Sequence, residues 1–212
     1  MAVESNAGRV GVWGRSGSGK STYVKGRIKG RKRVVVFDPM AEYGAHGFQA
    51  ANSVEAVRVG MRNDWAGFRL ALVPRPGQEP ADLSQLCKLL FAAQEPYRES
   101  GQGKSLTLVV EEMSLSFPNA GGVQRCPGFA KACSMGRHYG IEIIGVSQRI
   151  AEVATRFRGN CTETVVLRQK GPRDLEAAAA ELGIEKEQVA ALEALQFLHE
   201  KDGKITPGRV KF

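Results

Sequence analysis

The chain has 212 residues, of which 42% are hydrophobic, 25% charged and 7% aromatic, with a formal net charge of +8. That length suits one α/β domain with a sizeable core. No apolar run reaches a membrane span, and the first residues lack the basic-then-apolar pattern of a secretion leader, so a site of action inside a cell, or packaging from there, is expected. The charge favours a polyanionic partner, nucleic acid first, and the low aromatic content points to backbone contact rather than base stacking. Cys87, Cys126, Cys133 and Cys161 form no C-x-x-C pair, and His46, His138 and His199 are scattered. Zinc spacings are therefore excluded, and buried free thiols are expected.

Residues 9–13 read as a short buried strand. Gly14-Arg15-Ser16-Gly17-Ser18-Gly19-Lys20-Ser21-Thr22 follows and matches G-x-x-x-x-G-K-[S/T] in full. A helix over 21–28 completes the strand–loop–helix context that separates this motif from a chance Gly/Ser turn. At the glycines the backbone can take positive φ and approach a phosphate closely. The loop and the helix start then aim N–H groups at an anion. Lys20 supplies a charge for the β- and γ-phosphates of ATP, and Ser21 a hydroxyl for Mg²⁺.

From Lys25 to Arg33, six of nine residues are cationic. Two readings stand: a solvated helix end whose cations suit the dipole, or a phosphate-backbone patch. Residues 33–38 form a β-branched run, as expected of a strand buried on both faces. It ends at Asp38-Pro39, where a carboxylate can reach the ligand edge of a parallel sheet or lie in a polar loop. The spacing predicts a helix over 53–62 and a strand over 68–73. A further helix is predicted over 80–98, with Leu83, Leu86, Leu89, Leu90 and Phe91 inward.

Residues 106–112, Leu-Thr-Leu-Val-Val-Glu-Glu, are the second chemical element. An apolar strand ending in two acids fits the Walker B pattern. One carboxylate serves the Mg²⁺ shell and one the attacking water. We assign Glu111 to the metal and Glu112 to the water. Adjacent strand residues face opposite ways, so the chain must turn at this point. A loop over 114–122 and a helix over 123–138 precede a strand over 141–146. Gln148, at its tip, suits the γ-phosphate or the water, while Ser147 suits a helix cap. A short basic helix is expected over 149–158 and a strand over 164–167. Helices are expected over 173–182 and 185–195, then a hairpin turning at Asp202-Gly203. No repeat or linker divides the chain.

Five segments in this order resemble the FtsK–HerA ATPases: residues 14–22, Asp38-Pro39-x-x-Glu42-Tyr43, Glu111-Glu112, Gly136-Arg137-His138-Tyr139-Gly140, and Ser147-Gln148-Arg149. The resemblance covers residues 8–170. It implies a RecA-like P-loop NTPase: a mostly parallel sheet flanked by helices, in a single domain spanning 1–212, with helices and a small hairpin at 171–212. The small size looks most like the genome-packaging ATPases of tailless, internal-membrane double-stranded DNA viruses. One departure is Glu111, where that family usually has Asp.

The resemblance further implies a homo-oligomeric ring, a hexamer, with ATP between subunits and double-stranded DNA through the centre. It implies capsid-vertex or membrane packaging proteins as partners, and the host cytoplasm or a virion vertex as location. It places an arginine finger near Arg137, with Arg149 as an in-subunit or second interfacial contact and Arg156 and Arg158 as competitors. Two other classes stand beside this reading. One is a nucleotide switch or phage assembly and extrusion factor that does not move DNA. The other is a phosphotransferase, which lacks an Arg-rich lid here.

Overall fold

Successive strand residues feed two cores on opposite faces of one sheet. Val10 and Val12 belong to one core and Trp13 to the other; Val34 and Val36 are set against Val35 and Phe37, and Val109 against Leu108 and Val110. This is how a parallel strand with both faces covered reads: continuously apolar, with side chains alternating between two layers. The computed structural model describes residues 7–101 and 103–211.

The first strand, β1 (Arg9–Trp13), leads through the glycine loop into α1 (Lys20–Arg27), and β2 (Val34–Phe37) follows. Next come β3 (Gln49–Ala51), α2 (Val54–Asn63), β4 (Arg69–Leu72), α3 (Glu79–Ala93) and α4 (Glu95–Ser100). The strand β5 (Leu106–Val110) precedes three short helices, α5 (Met113–Ser116), α6 (Gly122–Arg125) and α7 (Pro127–Met135). Then come β6 (Ile141–Ser147), α8 (Thr155–Arg158), β7 (Glu163–Leu167), α9 (Pro172–Leu182), α10 (Lys186–Ala190), β8 (Gln196–Lys201) and β9 (Lys204–Arg209).

The nine strands form one sheet in the order β3-β4-β2-β5-β6-β1-β7-β8-β9. Pairing is parallel from β3 through β7, and β8 and β9 add an antiparallel hairpin at one edge. The fold is therefore the α/β class the sequence implies. Val24 of α1 and Ile28 just after it cover one face, and the larger core on the other takes in residues of α2, α3, α7 and α9. Each fully buried Leu, Val or Phe there contributes about 1.5–3 kcal/mol.

Several elements differ from expectation. The 80–98 helix breaks at Gln94, whose side-chain amide donates to the carbonyls of Lys104 and Tyr139; Pro96 then opens α4. The 123–138 helix breaks at Cys126, because Pro127 starts a new helix. The basic helix over 149–158 is a 3₁₀ turn, Ile150–Glu152, and the four-residue α8. The 185–195 helix stops at Ala190, and Leu195 takes φ 67. The loop expected over 114–122 is partly helical, since α5 runs Met113–Ser116, and β3 was not expected.

Much of the basic 25–33 stretch is bound inside the molecule. Arg27 pairs with Glu163 (2.9 Å), and Arg31 pairs with Glu142 and donates to Thr107 Oγ1 (2.8 Å). Arg33 is buried, donates to the Ser105 carbonyl (3.1 Å) and lies over the Trp65 ring. These three arginines answer buried carboxylates and a carbonyl, so neither the solvated helix end nor the phosphate patch describes them. Lys29 and Lys32 remain exposed.

Candidate active site

Three neighbouring strands end at one place. β5 lies beside β6, which lies beside β1, so Glu111, Gln148 and the glycine loop all leave the carboxyl edge of the sheet. That edge is where ligands bind open α/β sheets.

The loop is pinned at its root. Gly14 N–H donates to Ser147 O (3.2 Å), and Arg15 N–H to Arg168 O (2.9 Å). Gly17 and Gly19 take φ 71 and 102, as expected of a loop whose amides turn inward. Among the described residues, Ser18 N–H to Arg15 O is the one backbone bond made by the amides of residues 16–22. The other amides are left to face an anion, a nest at a helix start. The Ser18 hydroxyl is also buried without a partner. Lys20 is 8% exposed, and its Nζ donates to Arg15 O (3.2 Å). Burial lowers its pKa, and the negative charges of Glu112, Glu111 and Glu42 work against that shift.

Glu111 directly follows β5 and is 8% exposed. Its Oε1 accepts from Tyr43 Oη at 2.6 Å. Tyr43 is itself fixed, since its N–H donates to Asp38 Oδ2 (2.9 Å). The Asp38-to-Tyr43 segment, legible only as a signature, thus acts as a brace between the ends of β2 and β5. Burial pushes Glu111 up to about 7; the Glu112 and Asp38 charges add to this, and the Tyr43 bond and Lys20 oppose it. Burial likewise raises the Tyr43 phenol, reinforced by Glu111.

Glu112 takes φ 45 and ψ 56. This left-handed turn solves the problem of two adjacent acids: it brings Glu112 back to the same edge, where Gln148 Nε2 donates to its Oε1 (2.8 Å). Gly145, inside β6, makes room for Met113, the residue that follows the turn, and for the Phe157 ring: a Cβ there would run into Met113 Sδ and stand 2.6 Å from Phe157 Cε1. Ser147 does not cap a helix; its hydroxyl accepts from Arg149 N–H (3.2 Å).

Among the described residues no three His, Cys, Asp or Glu side chains cluster as a metal site. This fits Mg²⁺ of the kind that takes one or two protein oxygens and completes its shell with phosphates and water. The Ser21 hydroxyl and the Glu111 carboxylate would be those oxygens. The arginines separate clearly. Arg149 is beside the loop, held by Asp174 (2.6 Å) and Glu152 (3.3 Å). Arg156 is exposed and donates to Ser134, and Arg158 pairs with Glu181. Arg137 lies in a 3₁₀ turn, Gly136–Tyr139, that precedes β6. The seven residues of β6 put about 20 Å of strand between it and the phosphate loop. Its glycines serve packing rather than projection: a Cβ on Gly140 would meet the Tyr97 ring at 2.8 Å.

The fold and this edge define a P-loop nucleotide-binding protein. No protein-family model matches the sequence, and no curated protein does. Solved structures do match in fold. The genome-packaging NTPase B204 of Sulfolobus turreted icosahedral virus 2, in complex with ATP-γS, superposes with a TM-score of 0.76 at 18% identity, covering 97% of this chain and 98% of that one. VirB4 of Thermoanaerobacter pseudethanolicus gives 0.72 at 13% identity, covering 96% and 89%. The cytoplasmic domain of the Thermomonospora curvata type VII secretion ATPase EccC gives 0.66 at 14%, covering 96% of this chain and 25% of that one. Among the described residues, no helix is long and apolar enough to cross a membrane.

Proposed function

We propose that the protein is a Mg²⁺-dependent ATPase that moves double-stranded DNA and packages a viral genome into a preformed capsid. The observation that carries this reading is end-to-end similarity, with 97% and 98% coverage, to a viral genome-packaging NTPase. It stands beside a loop whose amides are open to an anion and two acids that meet at the loop's edge. The ring of identical subunits, its hexameric order, the packaging partners and the host-cell or virion location belong to the same proposal.

In the reaction, the loop amides and Lys20 hold the triphosphate, and Glu112 accepts a proton from the attacking water. Gln148 fixes the Glu112 carboxylate and presents an amide to the water or the γ-phosphate. Bound Mg²⁺ would neutralise charge on the β- and γ-oxygens, with Ser21 and Glu111 on its protein side. An arginine from a neighbouring copy, Arg137, would stabilise the transferring phosphoryl group, and Arg149 would act from within the subunit. Lys29 and Lys32, both exposed, suit the DNA backbone.

The test is ATP hydrolysis with and without double-stranded DNA. A motor responds with a clear rise in rate that salt abolishes. A rate indifferent to DNA at low salt leaves the nucleotide-switch reading in its place.

A further inference from the structure

We propose that the cleft between the end of α1 and the start of β4 is a second phosphate site, which grips a nucleic-acid backbone and reports its occupancy to Glu111 through Tyr43. The proposal rests on the reading of the protein as one that binds DNA. It adds a place of contact and a route from that contact to the metal-side acid.

The cleft, of about 290 Å³, is lined by Lys25, Ile28, Lys29, His46, Phe48 and Arg69. No residue of the phosphate loop enters it, and no carboxylate lines it. Among the described residues, Lys25, Lys29 and Arg69 form no ion pair. Arg27 and Arg31, which alternate with the two lysines, pair with Glu163 and Glu142. Lys25 and Lys29 are four residues apart, a spacing at which like charges on a helix repel. Cations at a helix end suit the dipole. That does not account for Arg69, which comes from β4, or His46, which ends the 3₁₀ turn Tyr43–His46. Three cations and a histidine from three elements, with no counter-charge among them, call for an anion from outside.

A phosphodiester fits. The planar fork of arginine matches phosphate oxygens, and the lysines add point charge. The space lies at the lower limit of the usual range of about 300–1,000 Å³ for ligand sites, which suits one phosphate and its sugar better than a whole nucleotide. Ile28 and Phe48, both buried, give that sugar an apolar floor.

Two of the cations also sit on the aromatic pair that holds Glu111. Lys25 Nζ stands 5.4 Å from the centre of the Tyr43 ring, and Arg69 lies over the Phe48 ring at 4.3 Å. The two rings meet edge to face at 5.3 Å, and the Tyr43 phenol donates to Glu111 Oε1. A phosphate that draws Lys25 and Arg69 onto itself takes a cation from each ring face. The Tyr43 ring then settles differently, and the carboxylate bonded to it turns with it. Such coupling is reciprocal: Mg²⁺-nucleotide changes the grip on the backbone by the same factor as the backbone changes the grip on Mg²⁺-nucleotide.

The experiment is fluorescence anisotropy of a short labelled duplex with the full chain, in EDTA and again with saturating Mg²⁺ and a non-hydrolysable ATP analogue. For the wild-type chain the two affinities should differ about fivefold or more. Tyr43→Phe should keep the EDTA affinity and lose the difference. Lys25→Gln combined with Arg69→Gln should lower the EDTA affinity and flatten its salt slope by about 0.9 per lost contact. Lys25→Gln alone spares the bond from Arg69 to the Arg31 carbonyl (3.2 Å) and should flatten the slope by one contact. Inorganic phosphate should displace the duplex no better than chloride at equal ionic strength. Equal wild-type affinities in the two conditions, a difference that survives in Tyr43→Phe, or a wild-type slope in both Lys25 variants would each overturn the proposal. So would inorganic phosphate that displaces the duplex from the wild type and not from the double variant, since the cleft would then serve free phosphate. A wild-type chain that binds no duplex at low salt would strike the DNA reading beneath the proposal, and the proposal with it.

Discussion

Tyr43 and Glu111, which are 1% and 8% exposed, share a 2.6 Å hydrogen bond between the phenol and the carboxylate. The bond leaves one carboxylate oxygen committed and restricts how the other can turn, the usual way an outer partner orients a metal ligand. Tyr43→Phe removes the hydroxyl and keeps the ring. We expect the Mg²⁺ concentration for half-maximal hydrolysis to rise about tenfold, with metal-free nucleotide binding little changed. An unaltered Mg²⁺ titration would reduce Tyr43 to a packing residue.

The raised Glu111 pKa has a defined sign in stability. Burial favours the protonated acid in the folded state, from an ordinary 4.5 to about 7. Its contribution is full below pH 4.5 and is lost as pH rises through 7. In EDTA, Glu111→Gln should match wild type near pH 4.5 and become the more stable protein above pH 7, by up to about 3 kcal/mol. Denaturant melts across that window decide it; parallel curves for the two proteins would be the contrary result.

Glu112→Gln keeps the turn and the Gln148 contact but cannot take a proton. Nucleotide binding should persist while hydrolysis falls about 10²–10⁴-fold. If Glu111→Gln gives that pattern and Glu112→Gln turns over normally, the two acids exchange roles.

For the proposed DNA contact, the cations to test are the exposed Lys29 and Lys32 and, lining the same surface as Lys32, the exposed Lys104, since Arg31 and Arg33 are spent on Glu142 and Ser105. Neutralising the lysines should flatten the salt dependence of DNA affinity by about 0.9 per lost phosphate contact. Arg31→Gln should instead lower stability, because it takes the closest cation from the buried Glu142 carboxylate and leaves it the Thr107 hydroxyl (2.9 Å) and the more distant Arg27 (3.9 Å). A salt slope unmoved by the lysine changes would place the DNA surface elsewhere.

Arg137 cannot serve its own loop from the far end of β6. Arg137→Ala subunits and Lys20→Ala subunits should each be inactive alone and recover hydrolysis when mixed, one supplying the pocket and the other the finger. Normal turnover by Arg137→Ala alone with DNA present would shift attention to Arg149.

What was legible in the sequence depended on distance along the chain. The phosphate loop, its strand and its helix are contiguous, and β1 begins and ends where the pattern says. The parallel strands declared themselves through β-branched runs buried on both faces. β3 did not, because two of its three residues are exposed at the sheet edge and show no alternation. β9 runs on through Pro207 and Gly208, which in sequence look like a strand's end, because it is an edge strand and tolerates proline. The breaks at Gln94 and Cys126 depend on which carbonyl or proline lies next door, and helical periodicity does not see them. The Tyr43–Glu111 bond joins residues 68 apart in sequence, and the charge run at 25–33 gave no sign that its arginines face inward acids. For Gln94, for the Tyr43–Glu111 bond and for the arginines the deciding partner lies far along the chain, whereas at Cys126 it is Pro127, the next residue, a local signal that the helical pattern masks.

The backbone at Glu112 carries one further consequence. A side-chain-bearing residue at φ 45 sits in a region that glycine or asparagine enters far more easily. A chain selected for folding alone would place glycine there, and Glu112→Gly should yield a tougher but inert protein. Position 112 is a point of local frustration, where the demands of chemistry overrule those of conformation. Random variants screened only for thermal resistance would therefore be drawn toward losing the very acid that the turn exists to aim.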